Sequence, residues 1–298
     1  MLEKTLQKAK DILKSFFNLQ KDFSMKVILT SIALVCTSNL FTASLTSAYD
    51  RYKAAVIQSA EDDFSFENFR KDQSIMEVYE HVTPALGSIF FANIVKYHPN
   101  LLDYLPEFSK NDLYGAPLKC EFYPYGQFSP VTLRYVHFLG EFDKMFDLKD
   151  GCKIVEIGVG YGGQCAIVSK FLNFSSYELI DLSYVLPLVN RYLNALEVKN
   201  FITKSPEEYG NITDYDLFIS NYGISECDKK TQDEYLEKVI CFCKRGYILY
   251  NSIYEKAYNV SDWCDRLRMY GIDPKVRAET VSTDMNTDKN VVIYWGAK

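Results

Sequence analysis

The sequence predicts an α/β protein: a doubly wound, mostly parallel sheet that ends in an antiparallel hairpin, with a helical region before it. Two observations carry this. From Cys152 onward, short runs rich in β-branched and aromatic residues alternate with segments of helical periodicity, the layout of successive βαβ units. The last two runs, about 275–281 and 290–295, follow one another with no helix between them, so the final strand returns antiparallel at the sheet edge. Residues 1–108 read as helical, and the chain divides into an N-terminal helical region, 1–108, and a sheet domain, 109–298.

Residues 1–19 place Leu2, Leu6, Ala9, Leu13 and Phe16 at helical spacing, with Lys4, Lys8 and Lys14 off that stripe. Such a helix suits a membrane surface, or packing on its own domain or on a second copy of the chain. Residues 27–47 carry no charge, but eight Ser or Thr and one Asn make them poor in hydrocarbon. A buried helix with Val27, Leu34, Phe41 and Leu45 on one face is expected there, not a membrane span or a secretory signal. Gly87 and prolines 84, 99 and 106 punctuate residues 49–108 into mixed helical segments. Residues 109–127 are rich in turn formers and tyrosines, and read as a long ordered connection passing near the functional site. Ser129 as N-cap and Pro130 as first helical residue then open a helix to about Phe146. Strands are expected at 153–158, 176–181, 200–203, 215–221 and 245–250, with helices near 163–172, 184–196, 229–243 and 261–270. Thr231 and Glu234 fit a capping box within the third of these helices.

Composition narrows the function. The chain has 298 residues, 48% hydrophobic and 24% charged, with a net charge of −6, an ordinary globular balance. It has no basic stripe to follow a phosphate backbone, which argues against nucleic acid as a partner. Eight cysteines form no C-x-x-C pair and three histidines are scattered, so no metal site is expected, and reduced thiols in a cytoplasmic protein are the favoured reading.

The centre of the chain is Lys153-Ile-Val-Glu-Ile-Gly158-Val-Gly160-Tyr-Gly162-Gly163-Gln164. A buried strand, a glycine turn and a helix follow one another, the order that brings backbone N–H groups against a nucleotide-like ligand. Gly158, Gly160 and Gly163 satisfy the dinucleotide pattern G-x-G-x-x-G. Glu156, two residues before the first glycine, makes the stretch resemble motif I of class I S-adenosylmethionine (SAM) methyltransferases instead. A carboxylate there suits the sulfonium and ammonium of SAM and repels a pyrophosphate.

Asp181 ends the second strand, where an acid bonds ribose hydroxyls; capping of the next helix is its other reading. Glu207 and Glu208 lie where an adenine edge would be, or in solvent. The fourth strand delivers Asn221-Tyr222-Gly-Ile-Ser-Glu226 at its carboxyl end, where open α/β sheets bind ligands. Methyl transfer to a hydroxyl needs in-line positioning and help in removing a proton; Glu226, Tyr222, Asp228 and His137 are the candidates.

Ser129-Pro-Val-Thr-Leu-Arg134-Tyr135, the glycine stretch, Ile180-Asp181-Leu182 and Ser220-Asn221-Tyr222 with Ser225-Glu226-Cys227 together resemble the sugar O-methyltransferases of bacterial surface-polysaccharide clusters, over about residues 110–298. The resemblance implies a Rossmann-like class I methyltransferase sheet and SAM as cofactor, with S-adenosylhomocysteine as product and divalent metal left open. It implies a sugar or sugar-nucleotide acceptor for capsule or lipopolysaccharide. Glu156, Gly158, Gly160, Gly162, Gln164, Asp181, Asn221 and Arg134 would then bind the cofactor, and Glu226, Tyr222 and His137 would serve catalysis. A small amino or phosphorylated metabolite as acceptor, or a non-catalytic partner subunit, are the alternatives.

Overall fold

The computed structural model describes residues 39–209, 214–281 and 290–298, with side chains from residue 48 onward. The expected amphipathic helix 1–19 and most of the uncharged run 27–47 lie outside these residues. Met1–Ala48 and Tyr49–Lys298 form two units; everything below concerns the second.

Among the described residues, ten α-helices run in chain order: α1 (Asn39–Glu61), α2 (Asp63–Asn68), α3 (Gln73–Tyr79), α4 (Pro84–Tyr97), α5 (Leu105–Phe108), α6 (Pro130–Phe146), α7 (Gly163–Ser169), α8 (Leu186–Ala195), α9 (Lys229–Lys238) and α10 (Val260–Met269). A ribbon of β1 (Cys120–Glu121) and β2 (Gln127–Phe128) precedes the main sheet, whose strands are β3 (Lys153–Ile157), β4 (Ser176–Ile180), β5 (Phe201–Lys204), β6 (Leu217–Asn221), β7 (Gly246–Asn251), β8 (Lys275–Ala278) and β9 (Asn290–Trp295).

The seven strands lie in the order β5-β4-β3-β6-β7-β9-β8. β3 to β7 are mutually parallel, and β9 runs antiparallel between β7 and β8. This is a doubly wound, Rossmann-like sheet with an antiparallel terminal hairpin, after a helical N-terminal segment. Side chains alternate between two cores, as a pleated strand buried on both faces requires. Ile154, Leu217, Ile219, Tyr247 and Leu249 pack under α6, α7 and α8; Val155, Ile157, Phe218, Ile248 and Tyr250 pack against α9 and α10. Val56, Phe66, Phe69, Phe90 and Ile94, from the helices before the sheet, belong to the first core.

Most boundaries fall within a residue or two of expectation. Ser129 caps α6 by accepting a hydrogen bond from the Thr132 amide, with Pro130 at the first position. The α9 cap is a correction: Asp228, not Thr231, is the N-cap, and its carboxylate accepts from the Thr231 amide. α9 stops at Lys238 and gives way to a 3₁₀ turn, Ile240–Phe242. The fourth of these strands starts at Leu217; before it Tyr215 makes an isolated parallel bridge to Cys243, and the Asp216 amide donates to the Lys153 carbonyl while its carboxylate accepts from the Lys153 amide.

Arg70 holds the segment before the sheet onto it. The residue is 1% exposed. Its guanidinium donates to both oxygens of Glu80 at 2.6 and 3.2 Å, to Asp112 Oδ1 at 2.8 Å, to the Asn111 carbonyl at 3.0 Å and to Ser129 Oγ at 2.8 Å. It also lies over the Tyr161 ring, 5.1 Å from its centroid. Only a planar fork of donors serves so many acceptors at once. One side chain thereby fixes the end of α3, the 109–127 connection, the start of α6 and the glycine turn.

The carboxyl ends of β3 and β6 touch through two glycines. A Cβ on Gly223 would stand 2.8 Å from Gly158 Cα, and one on Gly158 2.7 Å from Gly223 Cα. Gly158 also has φ +76°, open to glycine without strain.

Two outcomes follow. Arg70→Met leaves Asp112 and Glu80 buried without their cation, and should cost about 3–5 kcal/mol, read as a lower urea midpoint at unchanged slope; Arg70→Lys should recover only part of it. Gly223→Ala drives backbone into backbone and should cost about 1–3 kcal/mol in the same measurement.

Candidate functional site

The glycine turn is built around Asp181. Its Oδ2 accepts from the amides of Val159 and Gly160 at 2.8 and 3.1 Å, and its Oδ1 from the Leu182 amide at 2.7 Å. Gly160 and Gly162 have φ of +58° and +91°, which lets the turn wrap so closely. Asp181 caps no helix: α8 begins after Val185, without a side-chain cap. Despite its three amide partners, burial pushes the Asp181 carboxyl up to about 6.

Glu156 lies in β3 just below the turn and is 2% exposed. Its carboxyl accepts from the Tyr177 hydroxyl at 2.8 Å. Burial, with a further push from Asp181, raises it to about 8. Glu226 projects from the 3₁₀ turn Gly223–Glu226 that follows β6. Water reaches it, yet protein surrounds it, and this desolvation together with Asp181 raises it to about 7. Among the described residues, none of these three carboxyls has an ion-pair partner.

The second half of the site is the end of β6. Asn221 turns a side-chain amide inward whose nitrogen and oxygen both lack a partner. Tyr222 adopts φ +72°, ψ −22°. For a bulky side chain this is an outlier costing about 1–3 kcal/mol, the kind of strain that persists at functional sites. Its hydroxyl donates to Glu279, 2.8 Å from either oxygen. Its ring lies under Arg134, 5.3 Å from the guanidinium carbon. Arg134 is 6% exposed, its other face rests on Phe138, and its Nε has no partner.

The remaining candidates stand elsewhere. Gln164 is buried and ties α7 to α6 by donating to the Tyr135 carbonyl at 3.2 Å, while its side-chain oxygen is unpartnered. His137 is 2% exposed, packed against Phe90, His98 and Phe138 beside Glu141, in the core between α4 and α6. Asp228 is an exposed helix cap. Glu208 closes the turn after β5 by accepting from the Ser205 amide.

Residues that sequence reasoning did not single out complete the surroundings. Tyr79 lies over the glycine turn: a Cβ on Gly160 would come within 3.0 Å of its ring. The Tyr79 hydroxyl meets that of Tyr52, and Tyr52 packs edge-on against Tyr184. His81, in the connection from α3 to α4, is half-buried. Glu279, just past β8, holds Tyr222. Each comes from outside the βαβ core, so no local motif announces it.

Among the described residues the three desolvated carboxyls beside the turn have no ion-pair partner, and the Arg134 guanidinium stands at the end of β6. The unpartnered Asn221 amide and the desolvated Glu156 and Asp181 carboxyls fit a ligand that is cationic where it meets those two acids. Among the described residues no group of three or more His, Cys, Asp or Glu is arranged to hold a metal ion, and no helix is long and apolar enough to cross a membrane.

No protein-family model matches the chain, and no curated protein matches it. Solved structures show a partial likeness over about half of the chain. A SAM-dependent methyltransferase from Aquifex aeolicus is 18% identical with a TM-score of 0.39, over 52% of this chain and 92% of that one. The putative methyltransferase bound to the Trm112 activator of Haloferax volcanii is 11% identical with a TM-score of 0.43, over 54% and 89%. A Haemonchus contortus phosphoethanolamine N-methyltransferase 2, in complex with phosphomonomethylethanolamine and S-adenosylhomocysteine, is 13% identical with a TM-score of 0.43, over 53% and 51%.

Proposed function

We propose that the chain is a SAM-dependent O-methyltransferase that methylates a hydroxyl of a sugar or sugar nucleotide in the assembly of a bacterial capsule or lipopolysaccharide. The observation that supports it most is the convergence of Glu156, Asp181 and Glu226 at the glycine turn without a cation among them. The sulfonium and ammonium of SAM would draw these carboxyls into their ionised form, whereas the pyrophosphate of a dinucleotide would offer them no counter-charge.

On this reading Gly158, Gly160 and Gly162 admit the cofactor, Glu156 faces its cationic end, Asp181 its ribose, and Asn221 donates and accepts at its edge. Gln164 stiffens the turn from behind. SAM supplies the electrophilic methyl carbon. The protein then has to hold an acceptor oxygen in line with it, mainly a positioning task. Tyr222, locked by Glu279 and by the Arg134 stack, is the rigid wall for that purpose. The Arg134 guanidinium, with its Nε unpartnered, favours an anion, either the cofactor carboxylate or a phosphate on the acceptor. The second possibility keeps phosphorylated metabolites in view beside nucleotide sugars.

The raised Glu156 and Asp181 values set the pH behaviour. Without ligand, Glu156 is mostly protonated below about 8, and a bound cation favours its carboxylate. SAM binding at pH 7 should therefore release protons, seen as a dependence of titration enthalpy on buffer ionisation. Affinity should rise between about pH 6 and 8 and then level. Glu156→Gln should weaken SAM by roughly 10–100-fold, the worth of a charge-assisted contact, and remove most of the proton release. NAD binding in place of SAM would sink the proposal. For the acceptor, labelled methyl transfer from SAM to nucleotide sugars is expected; transfer to small phosphates alone would move the activity to the second substrate class.

A further inference from the structure

We propose that a cavity at the amino-terminal edge of the sheet, at the other end of the strands from the glycine turn, is a second ligand site, and that it binds a small molecule carrying a phosphate monoester. The cavity has a volume of about 460 Å³, within the range of small-molecule sites. The end of α4, the last turns of α6, β8 and the end of β9 line it. Strand pairing fixes its place in the fold. Lys275 opens β8 and pairs with Tyr294, and the next residue, Trp295, pairs with Gly246 at the start of β7. Glu141, on the cavity wall, stands two helical turns beyond Arg134 on α6, about 10 Å along the axis.

The lining is cationic in an acidic chain. Lys144, Lys275, Arg277 and Lys298 share it with one carboxylate, Glu141, whereas the net charge of the whole chain is −6. Glu141 is already engaged: its Oε1 accepts from Arg277 Nη2 at 2.9 Å and from Thr280 Oγ1 at 3.0 Å, and its Oε2 from the Tyr247 hydroxyl. Arg277 is therefore matched, and Lys298 is matched by Asp147. Lys144 and Lys275 have no ion-pair partner among the described residues. Two positive charges are left over at the cavity. A phosphate monoester carries about two negative charges at neutral pH, and lysine ammonium groups suit it as point charges.

Two imidazoles add neutral donors. His137 is 2% exposed, and its Nδ1 is buried without a partner. His98 is 5% exposed, and among the described residues its ring nitrogens make no hydrogen bond. Its ring fits because residue 140 is glycine: a Cβ there would stand 2.3 Å from His98 Cγ. A polar group removed from water without a partner is costly. Each neutral imidazole has one N–H, which a phosphate oxygen would accept. The same oxygens would meet Lys144 and Lys275. A water's share of liquid volume is about 30 Å³, so the cavity holds far more than one phosphate group. Tyr97, Tyr294 and Met145 on its walls offer apolar surface to the organic remainder of the ligand.

The test is calorimetric titration of the full chain with glucose 6-phosphate and ribose 5-phosphate, against glucose, ribose and inorganic phosphate. At least one ester should bind saturably, and more weakly as salt rises from about 50 to about 500 mM. Lys144→Ala and Lys275→Ala should each weaken that binding about tenfold. Both side chains are exposed, so the melting temperature should stay near wild type. Nitrogen-15 NMR should show the His98 and His137 rings shifting as the ester is added. Arg134→Gln should leave the affinity within about twofold; a loss there would move the ligand to the Arg134–Tyr222 site and overturn the proposal. It is equally overturned if neither ester binds, or if the Lys144→Ala, Lys275→Ala double variant binds as wild type does. Binding of a free sugar or of inorganic phosphate as tight as that of the esters overturns the assigned ligand class.

Discussion

The buried guanidinium of Arg70 is the constraint on which the site depends. Glu80, Asp112 and Ser129 come from three stretches of chain that have no strand pairing with one another, and hydrophobic contact alone does not set their mutual distances to within an ångström. A fork of charge-assisted hydrogen bonds does. Removing two carboxylates and a guanidinium from water is costly, and a well-packed apolar cluster would be as stable. What the apolar cluster would lack is direction: it would not hold Glu80, and hence Tyr79 and His81, at one fixed place relative to Ser129 and α6. The Tyr161 ring beneath Arg70 extends the same fixation to the glycine turn.

Among the described residues the carboxyls at the turn have no ion-pair partner, since Arg70, over the Tyr161 ring, is engaged by Glu80 and Asp112. Asp181 spends its acceptor capacity on amides of the loop it shapes, and Glu156 is met only by a tyrosine hydroxyl. Neither contact brings a positive charge, so both carboxyls stay raised. The cost of holding them near each other without a counter-charge is what a cationic ligand would relieve. Relief of that kind is differential: a sulfonium and an ammonium supply it, and a phosphate does not.

The sheet was legible because its information is local. Each strand of βαβ architecture carries its own apolar run, and turn residues separate the runs, so β3 to β9 were placed to within a few residues. The glycine turn, Asp181 and the Asn221–Glu226 corner were legible for the same reason, since they lie at strand ends where position in the fold follows from position in sequence. Tyr79, Tyr52 and Glu279 were not, because their contacts arise from packing between segments remote in the chain. His137 shows the reverse. One helical position decides whether a histidine meets the cleft or the core; Arg134, three residues earlier on α6, lies under Tyr222, whereas His137 turns toward Phe90 and His98.

Tyr222 links the two halves of the site. A left-handed backbone at a bulky residue survives only where surroundings over-determine it, and here they do. Its amide donates to the Leu249 carbonyl at 3.0 Å, its carbonyl accepts from the Ser225 amide at 2.8 Å, and its hydroxyl is fixed by Glu279. Gly223, next in the chain, must be glycine to pass Gly158. The strained turn thus steers the chain from β6 past the glycine loop, with Tyr222 on the Arg134 side and Glu226 on the Asp181 side. An unstrained Tyr222 would swing either its ring or Gly223 away from these contacts. The strain is therefore the local cost of holding the Tyr222 ring against Arg134 while Gly223 passes Gly158 and carries the chain on to Glu226.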